Sequence, residues 1–213
     1  MANPAQLAHT EVLRVISPAG STFYGGSQMW YDFRRGRRAG CGPTAASNII
    51  WYLTKSHRRL AALWHQEENP NADFLALMDE MYRHVTPGNR GVNTTGMFCD
   101  GVRHFLEQQG VAMEVHSLDI PEEIAERPDR ETVKNFLMNA LTADYPVAFL
   151  NLNNGKVTNL DRWHWVTLVA ADPQCLMVTM LDQGRQVDID LALWLETTTL
   201  GGGFVSLCDA PLS

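Results

Sequence analysis

Gly40-Cys41-Gly42-Pro43-Thr44-Ala45-Ala46 is the segment of this chain richest in potential chemistry. A cysteine nucleophile acts as its thiolate, and the N-terminus of a helix favours that negative charge. Pro43 suits a first helical turn, where its missing N–H is not needed. Ala45, Ala46, Ile49, Ile50 and Leu53 follow with helical apolar spacing. Glycines on both sides of Cys41 leave room for a substrate backbone near the sulfur, and the alanines let the helix pack closely on a sheet. The plain alternative is that Cys41 is a small buried hydrophobe, the commonest fate of a free cysteine.

A nucleophilic thiol needs a base, and the base needs a group to orient it. Of the seven histidines, His57, His65, His84 and His104 lie in polar helical surroundings and read as surface residues. His9 falls in a frayed terminus, and His116 ends a strand. His164 differs: it opens Trp163-His164-Trp165-Val166-Thr167-Leu168-Val169, an apolar strand in which a histidine is unexpected. Its plain alternative is a core histidine satisfied by a backbone carbonyl. The strand 163–171 is followed by the turn Asp172-Pro173-Gln174 and a second strand, 175–182. A hairpin centred on Pro173 sets Asp182 directly opposite His164 on one face. A slip of two residues leaves the pair diagonal, and a slip of one separates them. A carboxylate so placed orients the imidazole and stabilises its cation. Asp161, before the strand, and Asp172, in the turn, are decoys.

The elements that must position these groups divide along the chain. Helices fit about 72–85, 95–109 and 130–142, the last with Asp129 as N-cap and the second stopped by Gly110. Segments 146–151, 163–171, 175–182, 185–190 and 203–208 read as strands, interrupted by a short helix from Leu191 to Glu196. Helices first and a meandering sheet afterwards predict an α+β fold. One domain over residues 1–213 is expected, with a helical half at about 40–142 and a sheet half at about 145–208.

Composition sets outer bounds. The 213 residues carry 17 Lys+Arg against 24 Asp+Glu, a formal charge of −7, and 45% are hydrophobic. Such a chain is too apolar to be disordered, and its acidity argues against nucleic acid as a partner. No apolar run approaches the length of a membrane helix, and the start lacks a secretory signal pattern. The expectation is a cytoplasmic protein with no membrane partner. Its four cysteines carry no CxxC pair, so free thiols are expected, with Cys99, Cys175 and Cys208 buried and inert. No cofactor or metal is expected: no His/Asp/Glu group has ligand spacing, and Gly201-Gly202-Gly203 lacks the Lys-Ser/Thr of a phosphate loop.

Arg34-Arg35-Gly36-Arg37-Arg38 places four positive charges just before Cys41. One reading is a solvated loop that pairs with an acidic body. The other is electrostatic, favouring the thiolate and holding a substrate carboxylate. Trp30, Trp163 and Trp165 either wall a cleft or pack in the core, and Trp165, alternating away from His164, packs. Asn151, Asn153 and Asn154 read as turn residues.

Taken together, Gln28-Met29-Trp30, Arg37-Arg38, Gly40-Cys41-Gly42, His164-Trp165-Val166 and Asp182 resemble papain-like cysteine peptidases. The nearest branch is the bacterial family of bacteriocin-leader (double-glycine) peptidase-like proteins, in a stand-alone subgroup. The resemblance spans roughly residues 25–190. It implies a nucleophile helix packed on an antiparallel sheet, with Cys41 as nucleophile, His164 as general base and acid, and Asp182 as its orienter. It implies Gln28 as the oxyanion-hole side chain, acting with the Cys41 backbone N–H. Gln28 stands further before the cysteine than leader peptidases place their glutamine, and no transporter segment accompanies this chain. Leader cleavage is therefore not carried over.

The function expected is hydrolysis of a peptide or small amide by a cofactor-independent cysteine hydrolase. The alternatives are acyl transfer or transpeptidation by the same thiol, and a catalytically inactive binding module on the same fold.

Overall fold

In the computed structural model, which describes residues 3–16, 19–65 and 70–209, four of the helices come before all strands of the main sheet but the first. The chain opens with β1 (Ala5–Gln6), a 3-10 turn at Thr10–Leu13, and a ribbon of β2 (Arg14–Ile16) and β3 (Thr22–Tyr24). Four helices come next: α1 (Arg34–Ala39), α2 (Cys41–Ser56), α3 (Pro70–His84) and α4 (Thr95–Gln108). Then come β4 (Met113–Ile120), α5 (Arg130–Thr142), β5 (Val147–Asn151), β6 (His164–Ala171), β7 (Met177–Asp182), β8 (Arg185–Asp190), α6 (Leu191–Thr197) and β9 (Gly202–Asp209). This is an α+β fold, as predicted. Among the described residues no helix is long and apolar enough to cross a membrane.

Local chemistry explains the boundaries. Thr94, Asp129 and Asp190 cap α4, α5 and α6 by accepting from Met97 N (3.1 Å), Thr132 N (2.7 Å) and Leu193 N (2.8 Å). Each such cap is worth about 1 kcal/mol. Gly110 ends α4 at a φ of +66°.

The antiparallel sheet has seven strands, in the order β4-β9-β5-β6-β7-β8, with β1 added beside β6. Strands β5 to β8 form the expected meander. β9 then returns across the sheet to the free edge of β5, and β4 lies outside it. β4 runs on to Ile120, past His116, where the sequence reading ends its strand. Its apolar residues fall at Met113 and Val115, then at Leu118 and Ile120, so the alternation changes phase midway. β1 continues the line of β5 by pairing Ala5 with Ala171, so the N-terminal segment is docked rather than frayed.

Both faces of the sheet are covered. On one, Trp165 stacks on Phe98 of α4 at 4.4 Å between ring centroids and donates its indole N–H to the Val92 carbonyl (2.5 Å). On the other, Phe149, Phe204 and Trp194 of α6 form a second aromatic layer. Burying each such ring contributes roughly 1.5–3 kcal/mol.

Helix α2 is the central element, with every residue from Gly42 to Thr54 buried. A buried helix must satisfy its polar side chains internally. Thr44, Ser47 and Thr54 do so by donating to the carbonyls of Gly40 (2.7 Å), Pro43 (2.8 Å) and Ile50 (2.8 Å).

Candidate functional site

Cys41 is the first residue of α2, so its backbone N–H is one of the helix donors with no intrahelical acceptor. No acidic residue occupies the first turn, so the positive end of the helix dipole is not offset there. The glycines flanking Cys41 serve packing rather than access, contrary to the sequence reading. A Cβ on Gly40 would lie 2.4 Å from the Gly36 carbonyl and 2.5 Å from the Tyr31 ring. A Cβ on Gly42 would lie 2.9 Å from Val92. Both glycines are buried, and they allow α1, α2 and the Val92 loop to meet around a half-buried Cys41.

His164 opens β6 and is 7% exposed. Its Nε2 lies 2.7 Å from a carboxylate oxygen of Asp182 at the end of β7, which leaves Nδ1 as the ring nitrogen for the thiol. Burial works against a charge on the ring. The hydrogen bond to Asp182, followed by hydrogen bonding and charge at Cys41, outweighs burial and holds the imidazole pKa up at about 10. The three sequence-predicted residues therefore meet from α2, β6 and β7.

The hairpin register differs from the expected one by two residues. Thr167 pairs with Leu181, and continuing one step sets Asp182 opposite Val166, diagonal to His164. Near the turn the register is different again, pairing Ala171 with Val178 and Ala170 with Thr179. Val169 is the extra residue, a bulge in β6. Without it, the register at the turn would carry Asp182 opposite Thr167 and onto the other face. The bulged Val169 carbonyl accepts from Leu7 N (3.0 Å), so the N-terminal segment completes the hydrogen bonding there.

Gln28 lies on a 3-10 turn, Gln28–Trp30, and lines the same narrow pocket as Cys41 and His164. Its side-chain nitrogen donates to the Arg37 carbonyl (2.9 Å). A second N–H remains on that nitrogen. Its carbonyl oxygen is buried without a partner among the described residues. The amide is thus anchored to α1 beside the thiol.

Asn48, about two turns into α2, was not apparent as a site residue. Its side chain donates to Thr167 Oγ1 (3.1 Å) and accepts from Gly26 N (2.8 Å). One buried amide thus ties the cysteine helix to the strand of His164 and to the segment bearing Gln28. A carboxamide, too long to bond back to its own helix turn as Thr44, Ser47 and Thr54 do, was the available signal. Gln183 adds a second tie, accepting from Ser27 Oγ (2.5 Å). Asn151 is no turn residue: it is fully buried in β5, paired with His164 in the strand register. It accepts from the Trp194 indole (2.7 Å) and donates to the Asp161 carbonyl (2.5 Å), fixing the chain that leads into His164. The Asp172 carboxylate caps its own turn by accepting from Gln174 N (2.7 Å), as a decoy should.

On its other side Cys41 borders a cleft of about 570 Å³. Arg34, Arg35 and Arg38 of α1 line it, with Arg90, Leu150 and Trp163. Arg37 instead donates to the Tyr31 carbonyl (2.7 Å). Trp163 is 47% exposed, and its φ of +53° places a bulky residue in the left-handed region, where it costs about 1–2 kcal/mol.

Three sequence expectations about other groups change. Cys99 is buried, but Cys208 is half-buried and Cys175 is exposed, because β7 begins only at Met177. Burial pushes the Cys99 thiol up, and burial with Glu114 nearby raises Cys208. His84 is buried against Glu80 (3.1 Å), and His57 packs on the Asp144 carbonyl (3.0 Å), so neither is a surface residue. Metal-ligand types also gather where linear spacing hides them. Glu114, His116 and Cys208 bring donor atoms within 4.8 Å of one another across β4 and β9. There Glu114 and His116 already pair at 2.9 Å, and these residues line neither space beside Cys41.

No protein-family model matches the sequence, and a search of curated proteins finds none that matches it.

Proposed function

We propose that this protein is a cysteine hydrolase that cleaves a peptide or amide bond through Cys41, His164 and Asp182, on a papain-like arrangement of helix and sheet. The observation that carries this reading is the convergence of a helix-start thiol and a buried imidazole whose far nitrogen is held at 2.7 Å by a carboxylate. A surface thiol or an ordinary core histidine needs no such partner. The helix bearing Cys41, packed on an antiparallel sheet bearing His164 and Asp182, supports the resemblance drawn from the sequence.

In this mechanism the Cys41 thiolate attacks the scissile carbonyl. The developing oxyanion takes hydrogen bonds from the Cys41 backbone N–H and the second N–H of Gln28. The protonated His164 gives its Nδ1 proton to the leaving amine as the tetrahedral intermediate collapses to a thioester. His164 then takes a proton from water, the hydroxide attacks the thioester, and the acid product leaves with the thiol regenerated. Asp182 holds the ring through both steps and offsets its charge.

The test is competitive alkylation with iodoacetamide near pH 7, read by peptide mass spectrometry. Cys41 is expected to react on the order of a hundredfold faster than Cys99 and Cys208, and His164→Ala is expected to remove the advantage. Equal alkylation of all four thiols, or a Cys41 rate indifferent to His164, would refute the proposal.

A further inference from the structure

We propose that the cleft beside Cys41 binds the carboxylates of an acidic peptide segment, so that the preferred substrate carries Asp or Glu side chains close to the scissile amide. This rests on the reading of Cys41 as a nucleophile. Four arginines line the cleft with Cys41 and Trp163, and no Asp or Glu lines it. Arg34, Arg38 and Arg90 are exposed, and among the described residues none of them forms an ion pair. On a chain whose formal charge is −7, three unpaired guanidinium groups around one cleft are not explained by pairing with the protein's own acids.

The surroundings are built rather than incidental. Arg35 donates to the carbonyls of Pro87 (2.7 Å) and Gly88 (3.2 Å), bracing the following turn against α1. Gly88 and Gly91 close that turn by exchanging backbone hydrogen bonds of 3.0 and 3.2 Å, which sets Arg90 at its tip. Arginine is the cation suited to carboxylate, because its planar fork offers two parallel N–H donors. The cleft volume of about 570 Å³ falls within the range of ligand-binding clefts. Trp163 supplies an apolar wall beside the charges.

Protection of Cys41 from iodoacetamide tests this without requiring turnover. The competitors are acetylated, amidated penta-glutamate, penta-glutamine and penta-lysine, penta-glutamine with a free C-terminal carboxylate, and a ten-nucleotide oligothymidylate. Penta-glutamate is expected to slow Cys41 alkylation about fivefold or more at a concentration where amidated penta-glutamine has no effect. Added salt at about 0.5 M is expected to weaken that protection, since the groups are exposed. Each variant is compared with its own unprotected rate. The combined Arg34→Gln, Arg38→Gln and Arg90→Gln variant, and Arg90→Gln alone, are expected to lower the protection ratio, the former to near one.

Protection by the free-carboxylate penta-glutamine equal to that by penta-glutamate assigns the bound carboxylate to a chain end rather than to side chains. Equal protection by the oligothymidylate overturns an acidic peptide in favour of nucleic acid. Fast alkylation of Cys41 with no preference among the peptides overturns acidic recognition and leaves the nucleophile standing. A Cys41 no faster than Cys175, and indifferent to His164→Ala, removes the nucleophile and this proposal with it.

Discussion

The two spaces that meet at Cys41 are built in opposite ways. In the narrow pocket nearly every polar side chain is already committed to a partner. His164 is bound to Asp182, Asn48 to Thr167 and Gly26, Gln28 to Arg37, and Ser27 to Gln183. In the wide cleft the cations Arg34, Arg38 and Arg90 are left without ion-pair partners among the described residues. The first condition fixes geometry before any substrate arrives, and fixed geometry is what transition-state stabilisation needs. The second keeps charge available for something that binds from outside. Under the proposed function, the difference separates residues that would set rate from residues that would set preference.

That separation can be broken most severely at the thiol and its base. Cys41→Ala is expected to abolish hydrolysis, and His164→Ala to lower it by about 10³-fold or more. Cys41→Ala should keep its thermal unfolding transition near that of the parent, whereas His164→Ala should stay folded with a lowered transition, since it loses the bond to Asp182. Activity in Cys41→Ala above a buffer control would place the chemistry elsewhere. Next comes Gln28→Ala, expected to lower kcat about 10²-fold by removing one oxyanion donor, with KM little changed. A change confined to KM would move Gln28 from the rate-setting to the preference-setting group.

Asn48→Ala sharpens the contrast from the side of stability. It leaves the Gly26 N–H and the Thr167 hydroxyl unpaired in the interior, at a cost of about 2–4 kcal/mol by urea denaturation. Activity should fall at temperatures where the protein remains folded. Stability unchanged within about 0.5 kcal/mol would mean that the three segments are held by other contacts.

The pH dependence is a gentler probe. The folded imidazole of His164 titrates at about 10 against an ordinary value of 6.5. Its contribution to stability is therefore complete below about pH 6.5 and is lost as pH rises through 10. Denaturation midpoints measured from pH 6 to 10 should fall, and His164→Ala should flatten that fall. NMR of the ring carbon protons should show an imidazolium at pH 8, and Asp182→Asn should lower its pKa. The smallest effect is expected at Cys175→Ser: an exposed thiol outside both spaces should change stability by less than about 0.5 kcal/mol and activity not at all.

Much of this was legible in the residues because periodicity and capping are local. The helices ending near His84, Gln108 and Thr142 follow apolar spacing and their caps, and β5 to β8 follow apolar runs between turns. The pairing of His164 with Asp182 was legible only as far as a simple hairpin allows. The bulge at Val169 depends on backbone geometry that residue types do not encode, yet it decides which face Asp182 occupies. The role of Asn48 was illegible for another reason: its partners, Gly26 and Thr167, lie 22 and 119 residues away. The same distance hid the second half of β4, held as strand by pairing with β9 rather than by its own alternation. Cys175 was misplaced because its burial depended on a strand boundary two residues further on.

The spacing of the three meeting residues along the chain also sets a clock. Cys41 belongs to the early helices, whereas His164 and Asp182 belong to strands near the end. During synthesis at about 5–20 residues per second, on the order of ten seconds separates the appearance of the thiol from that of its orienting carboxylate. Through most of that interval the nascent chain carries the cysteine without His164 or Asp182. The proposed triad is thereby incomplete until Asp182 has been made and the strands that carry it and His164 have paired.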